Sequence, residues 1–125
     1  MLRFLSPEWF AAFAHELAAV QPDPAVPPLA LGQVVTGAPD GTVSYSILVS
    51  GSKAELVVGS TAQAAVTLVE DWPTARAIAG GTPVSELLAA GRITLRGDAN
   101  ALLAGQRHLE TLGRALGALE AETTT

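Results

Sequence analysis

Cysteine is missing from the chain altogether, so disulfides and thiolate metal sites are excluded. Histidine is scarce. His15 and His108 stand apart, with no second histidine or carboxylate at helical ligand spacing and no HExxH motif. Both read as solvated or partly buried structural residues, and no metal is expected. Basic charge is thin as well. Seven Lys and Arg stand against twelve Asp and Glu, a net charge of −5. Nucleic-acid binding needs a concentrated basic footprint to displace counterions, whereas Arg92, Arg96, Arg107 and Arg114 are scattered among acids. Nucleic acid is therefore not an expected partner, and anionic membrane surfaces are disfavoured on the same ground. No apolar run approaches the roughly 20 residues of a membrane span, so no stable membrane insertion is expected. The N-terminal MLRFLSPEWF lacks the long apolar stretch of a signal peptide, and the C-terminal TTT is no peroxisomal address. The expected location is the cytoplasm.

What is abundant is apolar side chain. It makes up 49% of the 125 residues against 15% charged, which argues for one folded domain over 1–125 rather than disorder. It is also a large share for so small a body, and a lined cavity would use part of it.

Ser6-Pro7 signals a helix start, a hydroxyl cap followed by proline where its missing N–H costs nothing. Trp9, Phe10, Phe13 and Leu17 follow at helical spacing, so a helix over about 6–20 should bury an aromatic face. QPDPAVPP, residues 21–28, ends it. A β region follows. Residues 29–36 have strand composition, APDG (38–41) fits a type I turn, and TVSYSILVS (42–50) alternates. Val43, Tyr45, Ile47 and Val49 point one way, and Ser44, Ser46 and Ser50 point to what reads as a solvated face. Lys53 to Val58 returns the chain, and AAVTLVE (64–70) is a fourth strand.

Then the period changes. Asp71 is placed to cap a short helix over 72–79, and Thr82 to cap another that stops at Gly91. Arg92 to Gly97 forms a fifth strand with Ile93 and Leu95 inward. Asp98 caps a terminal helix, Ala101 to Leu119, with leucines repeating every seven residues. The ETTT tail reads as frayed. Strands and helices in blocks imply an α+β fold, a mostly antiparallel five-stranded sheet covered on one face by helices, over about 28–119.

Three stretches taken together, VSYSILVSGSKAELVVG, AAVTLVEDWPTARAIAGG and LLAAGRITLRGDANALL, make the chain resemble the sterol carrier protein family, the small lipid-transfer domains of the type-2 carrier. They span about residues 43–103, and the leading helix resembles that of small bacterial members. The resemblance implies a five-stranded sheet with helices on one side and an apolar tunnel between the layers. It also implies binding of sterols, fatty acids or acyl-CoA without covalent chemistry, although the same fold serves as an accessory domain in several enzymes. The lysine-rich surface of some carriers is absent here.

The expected function is therefore non-enzymatic binding and carriage of a hydrophobic small molecule or lipid. The apolar side chains expected at the ligand are Trp9, Phe13, Leu56, Val58, Leu68, Trp72, Leu88, Leu102, Leu109 and Leu112. No catalytic residue and no cofactor is expected. Glu70 and Asp71 point apart on a strand and make a poor working pair. An isomerase or cyclase with a carboxylate or Tyr45 as acid or base is the enzymatic alternative. An interaction or subunit role, including a homodimer through the Gly113/Gly117 helix face or the strand edges, is the other.

Overall fold

The computed structural model describes residues 1–124. Its first helix, α1 (Pro7–Ala19), starts where sequence chemistry places it. Ser6 caps it, Oγ accepting the Trp9 N–H at 3.2 Å, and Pro7 occupies the first turn. Its buried face is Trp9, Phe10, Phe13 and Leu17. Ahead of it, β1 (Leu2–Arg3) pairs in parallel with β7 (Thr123–Thr124) at the other end of the chain. The tail expected to fray is thus held by backbone bonds as far as Thr124, and Thr125 lies outside the described residues.

β2 (Leu29–Ala38), β3 (Gly41–Ser50) and β4 (Lys53–Val58) form an antiparallel meander. β5 (Val66–Asp71) lies on the other side of β2 and parallel to it, and β6 (Ile93–Gly97) closes the sheet antiparallel to β5. The order is β4-β3-β2-β5-β6, so the sheet is mixed but mostly antiparallel, as the α+β reading expected.

The parallel pairing within the five-stranded sheet, β2 with β5, arises from the link after β4. Residues 59–65 do not turn a hairpin but cross the outer face of the sheet above Gly32. A Cβ on Gly32 would lie 2.7 Å from Thr67 Oγ1 on β5 and 2.9 Å from Ala64 Cβ in the crossing, so the two together leave room for hydrogen only. Ser46, the register partner of Gly32, lies under the same crossing. It is fully buried, and its Oγ donates to the Ser60 carbonyl at 2.7 Å. This corrects the expectation of a solvated serine face. Ser50 is exposed, but Ser44 is half-buried and Ser46 is covered.

The helices gather on the inner face. Asp71 caps α2 (Trp72–Ala79), accepting the Thr74 N–H at 2.9 Å. α3 (Val84–Ala89) begins at Pro83 with no side-chain cap. Thr82 does not cap it as expected, because the helix begins at Val84 and puts Pro83 in the cap position, while Thr82 still belongs to the preceding turn, its N–H donating to the Ala77 carbonyl at 2.9 Å. The terminal helix, expected as one rod, is two: α4 (Ala99–Ala104) and α5 (Arg107–Glu120). Asp98 caps α4, accepting the Asn100 and Ala101 N–H groups at 3.0 and 3.3 Å. The chain bends at Gly105, where an added Cβ would lie 3.0 Å from that of Leu29. His108 pins the start of α5, its buried ring Nε2 lying 3.0 Å from the Pro27 carbonyl. That is the structural histidine expected, and His15 is exposed.

Candidate functional site

On the inner face, β2 presents Leu31, Gln33 and Val35, β3 presents Tyr45 and Ile47, and β5 presents Val66, Leu68 and Glu70. These follow from the register, which sets Gln33 beside Tyr45 and Leu68, and Val35 beside Glu70. Over this surface α1, α2 and α5 leave a cavity of about 670 Å³, within the range of small-molecule sites. Phe4, Phe13, Ile47, Ile78, Leu109 and Leu112 supply apolar wall. Gly113 and Gly117 face the space with nothing within 4 Å of an added Cβ, so their missing side chains contribute room.

Three polar side chains interrupt this apolar interior, and all three line the cavity. Gln33, Tyr45 and Glu70 are 7%, 7% and 4% exposed. With its amide nitrogen turned to the carboxyl, Gln33 donates to Glu70 Oε1 at 2.7 Å and Oε2 at 3.2 Å. With the amide reversed, the same contact serves a protonated Glu70, whose O–H donates to the Gln33 carbonyl. Burial, and secondarily the neighbouring Asp71 charge, pushes the Glu70 carboxyl up to about 8. Burial and then the Glu70 charge raise the Tyr45 phenol well above its ordinary range. Asp71 points outward and is held below the usual carboxylate range by the Thr74 hydroxyl and backbone N–H, of which the N–H completes a hydrogen bond by distance and angle. Chain neighbours thus have opposite environments, because strand alternation sends one side chain inward and the next to solvent.

An aromatic cluster backs the cavity. Phe4 meets Trp9 edge-on at 5.0 Å and Trp72 at 5.3 Å, Trp9 meets Phe13 at 5.1 Å, and Phe10 meets Tyr45 at 5.2 Å. Of the side chains expected at a ligand, Phe13, Leu109 and Leu112 share the cavity wall. Trp9 and Trp72 lie one layer behind it, against Phe4. Leu56 and Val58 border a separate shallow groove between β4 and α1, with Leu5 and Phe10. Leu68 is enclosed in the core, and Leu88 and Leu102 pack elsewhere on it. The bend at Gly105 removes Leu102 from the α5 seam.

Gln33 and Glu70 were not anticipated as site residues. Their phase carried a signal, since each is a polar residue in step with inward apolar ones, Leu31 and Val35 in one strand and Val66 and Leu68 in the other. Among the described residues, no group of three or more His, Asp or Glu side chains is placed to hold a metal ion. No helix among them is long and apolar enough to cross a membrane.

A sheet with helices on one face and a lined space between the layers defines a class of small α+β domains. Solved structures specify it further. A conserved hypothetical protein from Thermus thermophilus, suggested to be a sterol carrier protein, matches with TM-score 0.72 and 18% identity over 95% of this chain and 91% of that one. Sterol carrier protein 2 matches with TM-score 0.65 and 18% identity over 90% and 96%. Palmitated SCP2L2 from Aedes aegypti matches with TM-score 0.56 and 22% identity over 86% and 89%. The chain has the sterol carrier protein 2 fold. No family model and no curated protein sequence matches it.

Proposed function

We propose that the protein is a non-enzymatic carrier of the cytoplasm that takes a fatty acyl, sterol or similar apolar amphiphile into the cavity between sheet and helices. The observation that carries this reading is the cavity itself, about 670 Å³ and walled mainly by apolar side chains. That one structural neighbour is described as palmitated agrees with it. Burial stabilises an acyl chain by about 0.8 kcal/mol per methylene, so about twelve methylenes contribute roughly 10 kcal/mol before the cost of association. Micromolar affinity follows without a charged clamp. The mechanism is capture, shielding from water and release.

The test is titration with a long-chain fatty acid, followed by calorimetry and intrinsic fluorescence. Trp9 and Trp72 sit directly behind the wall residue Phe4, so filling the cavity should change their emission. No heat and no spectral change up to the solubility limit would overturn the reading. A proton-transfer enzyme is a second reading, with one observation in its favour: Glu70 and Tyr45 line the same cavity as potential acid and base. It requires turnover of a hydrophobic enone that both Glu70→Gln and Tyr45→Phe abolish.

A further inference from the structure

The cavity interior holds an acid and no base. Glu70 is 4% exposed, and its protein partner is the neutral Gln33 amide. The one salt bridge among the described residues, Arg3–Asp40, lies on the surface. The basic side chains that border the cavity, Arg107 and Arg114, are exposed on α5 at its mouth. A carboxylate buried without a cation is costly, so Glu70 keeps its proton until a cation takes that proton's place. Tyr45 adds a second unused group. It is 7% exposed, lines the same space, and makes no side-chain hydrogen bond among the described residues. The rings of Phe4, Phe13 and Tyr45 border the space as well, and aromatic faces attract cations.

We propose that the Gln33–Tyr45–Glu70 floor is a head-group site for a cationic amphiphile, a long-chain amine bound as its ammonium with the chain running out along α5. This rests on the carrier reading above and specifies its ligand. The ammonium donates to the Glu70 carboxylate and the Tyr45 oxygen, and supplies the positive charge that the interior lacks. A carboxylate head in the same place would set like charges side by side, and Arg107 and Arg114 suit such a head at the mouth instead. An alcohol head would form hydrogen bonds but give no compensating charge to Glu70 where it is ionised.

Acidity of the site adds a signature. With Glu70 pushed up to about 8, an ammonium must first displace its proton at neutral pH. Affinity should therefore rise about tenfold from pH 6 to pH 7 and level off above pH 8. An alkylamine, like lysine, stays protonated to about pH 10. The ionisable groups facing Glu70 are Tyr45 from β3 and, at the mouth, Arg107, Glu110, Arg114 and Glu120 from α5. Asp71 is its chain neighbour, with Arg92 near Asp71. The wall residues of α1 and α2, Phe13, Ala75, Ile78 and Ala79, carry no charge, nor does Ile93 beside it on β6.

Decylamine, decanol and decanoate below micellar concentration separate the head groups at constant chain length. By calorimetry at pH 8.5, decylammonium should bind at least about tenfold tighter than decanol, the scale of one compensated charge. Glu70→Gln should remove that preference. Decanol binding the wild type as tightly as the amine, or amine affinity unmoved in Glu70→Gln, overturns the head-group site and leaves the carrier reading standing. No binding of any of the three overturns both. Should Glu70→Gln fold poorly, the wild-type pH profile decides: a rise for the amine with a flat profile for decanol supports the site, and a flat amine profile overturns it.

Discussion

Glu70 is the residue at which position and chemistry most plainly conflict. An acid stands where β5 otherwise sends Val66 and Leu68 into the core, and its carboxyl is pushed from 4.5 up to about 8. The folded chain therefore keeps this proton over a range where the unfolded chain has released it. Its contribution to stability is full below about pH 4.5 and is lost as pH rises toward 8. By linkage the loss is on the order of 5 kcal/mol at most. Glu70→Gln keeps an amide partner for Gln33 and removes the titration. Urea unfolding at pH 5 and pH 8.5 should show the variant gaining several kcal/mol relative to wild type at the higher pH. An unchanged difference between the two pH values would mean that the carboxyl is not held neutral by burial.

At the scale of the element, α5 is a helix weakened on its cavity side. Gly113 and Gly117 lie within it, and an added Cβ at either would meet nothing within 4 Å. Gly113→Ala and Gly117→Ala should each stabilise the fold by about 1 kcal/mol through helix propensity, read as a rise in Tm. If α5 acts as a movable cover, the same changes should slow release of a fluorescent fatty acid in stopped flow more than they alter its affinity. Gly105 is different, because its Cβ would press on Leu29 from 3.0 Å. Gly105→Ala should therefore not share the stabilisation, although all three positions read alike as helical glycines in the sequence.

For the whole molecule, ligand binding and stability are one equilibrium. A fatty acid at 100 times its Kd should stabilise the fold by about 2.7 kcal/mol, visible as a Tm increase in a thermal scan. Leu109→Glu puts a carboxylate in the cavity wall and should abolish that increase. A folded Leu109→Glu protein with an undiminished ligand shift would remove α5 from the binding site. The outer face behaves differently at Gly32 and Ser46, where the 59–65 crossing covers it and leaves no ligand space.

The local grammar of the chain was enough to determine the five strands of the main sheet, the first helix and three of the helix caps. The Ser6, Asp71 and Asp98 caps, the alternation through Val43 to Val49, and the inward turn of Ile93 are decided within a few residues, where hydrogen-bond reach and side-chain period act directly. The order of those elements sufficed to recognise the fold. Contacts between distant segments decided the rest. Ser46 looks solvated until a link 14 residues away crosses it. The terminal leucine seam looks continuous until Gly105 meets Leu29. Gln33 and Glu70 are 37 positions apart in the sequence, and only the parallel register of β2 with β5 makes them diagonal neighbours. Strand register is a property of pairing rather than of either strand, so the polar floor of the cavity came into being with the tertiary structure.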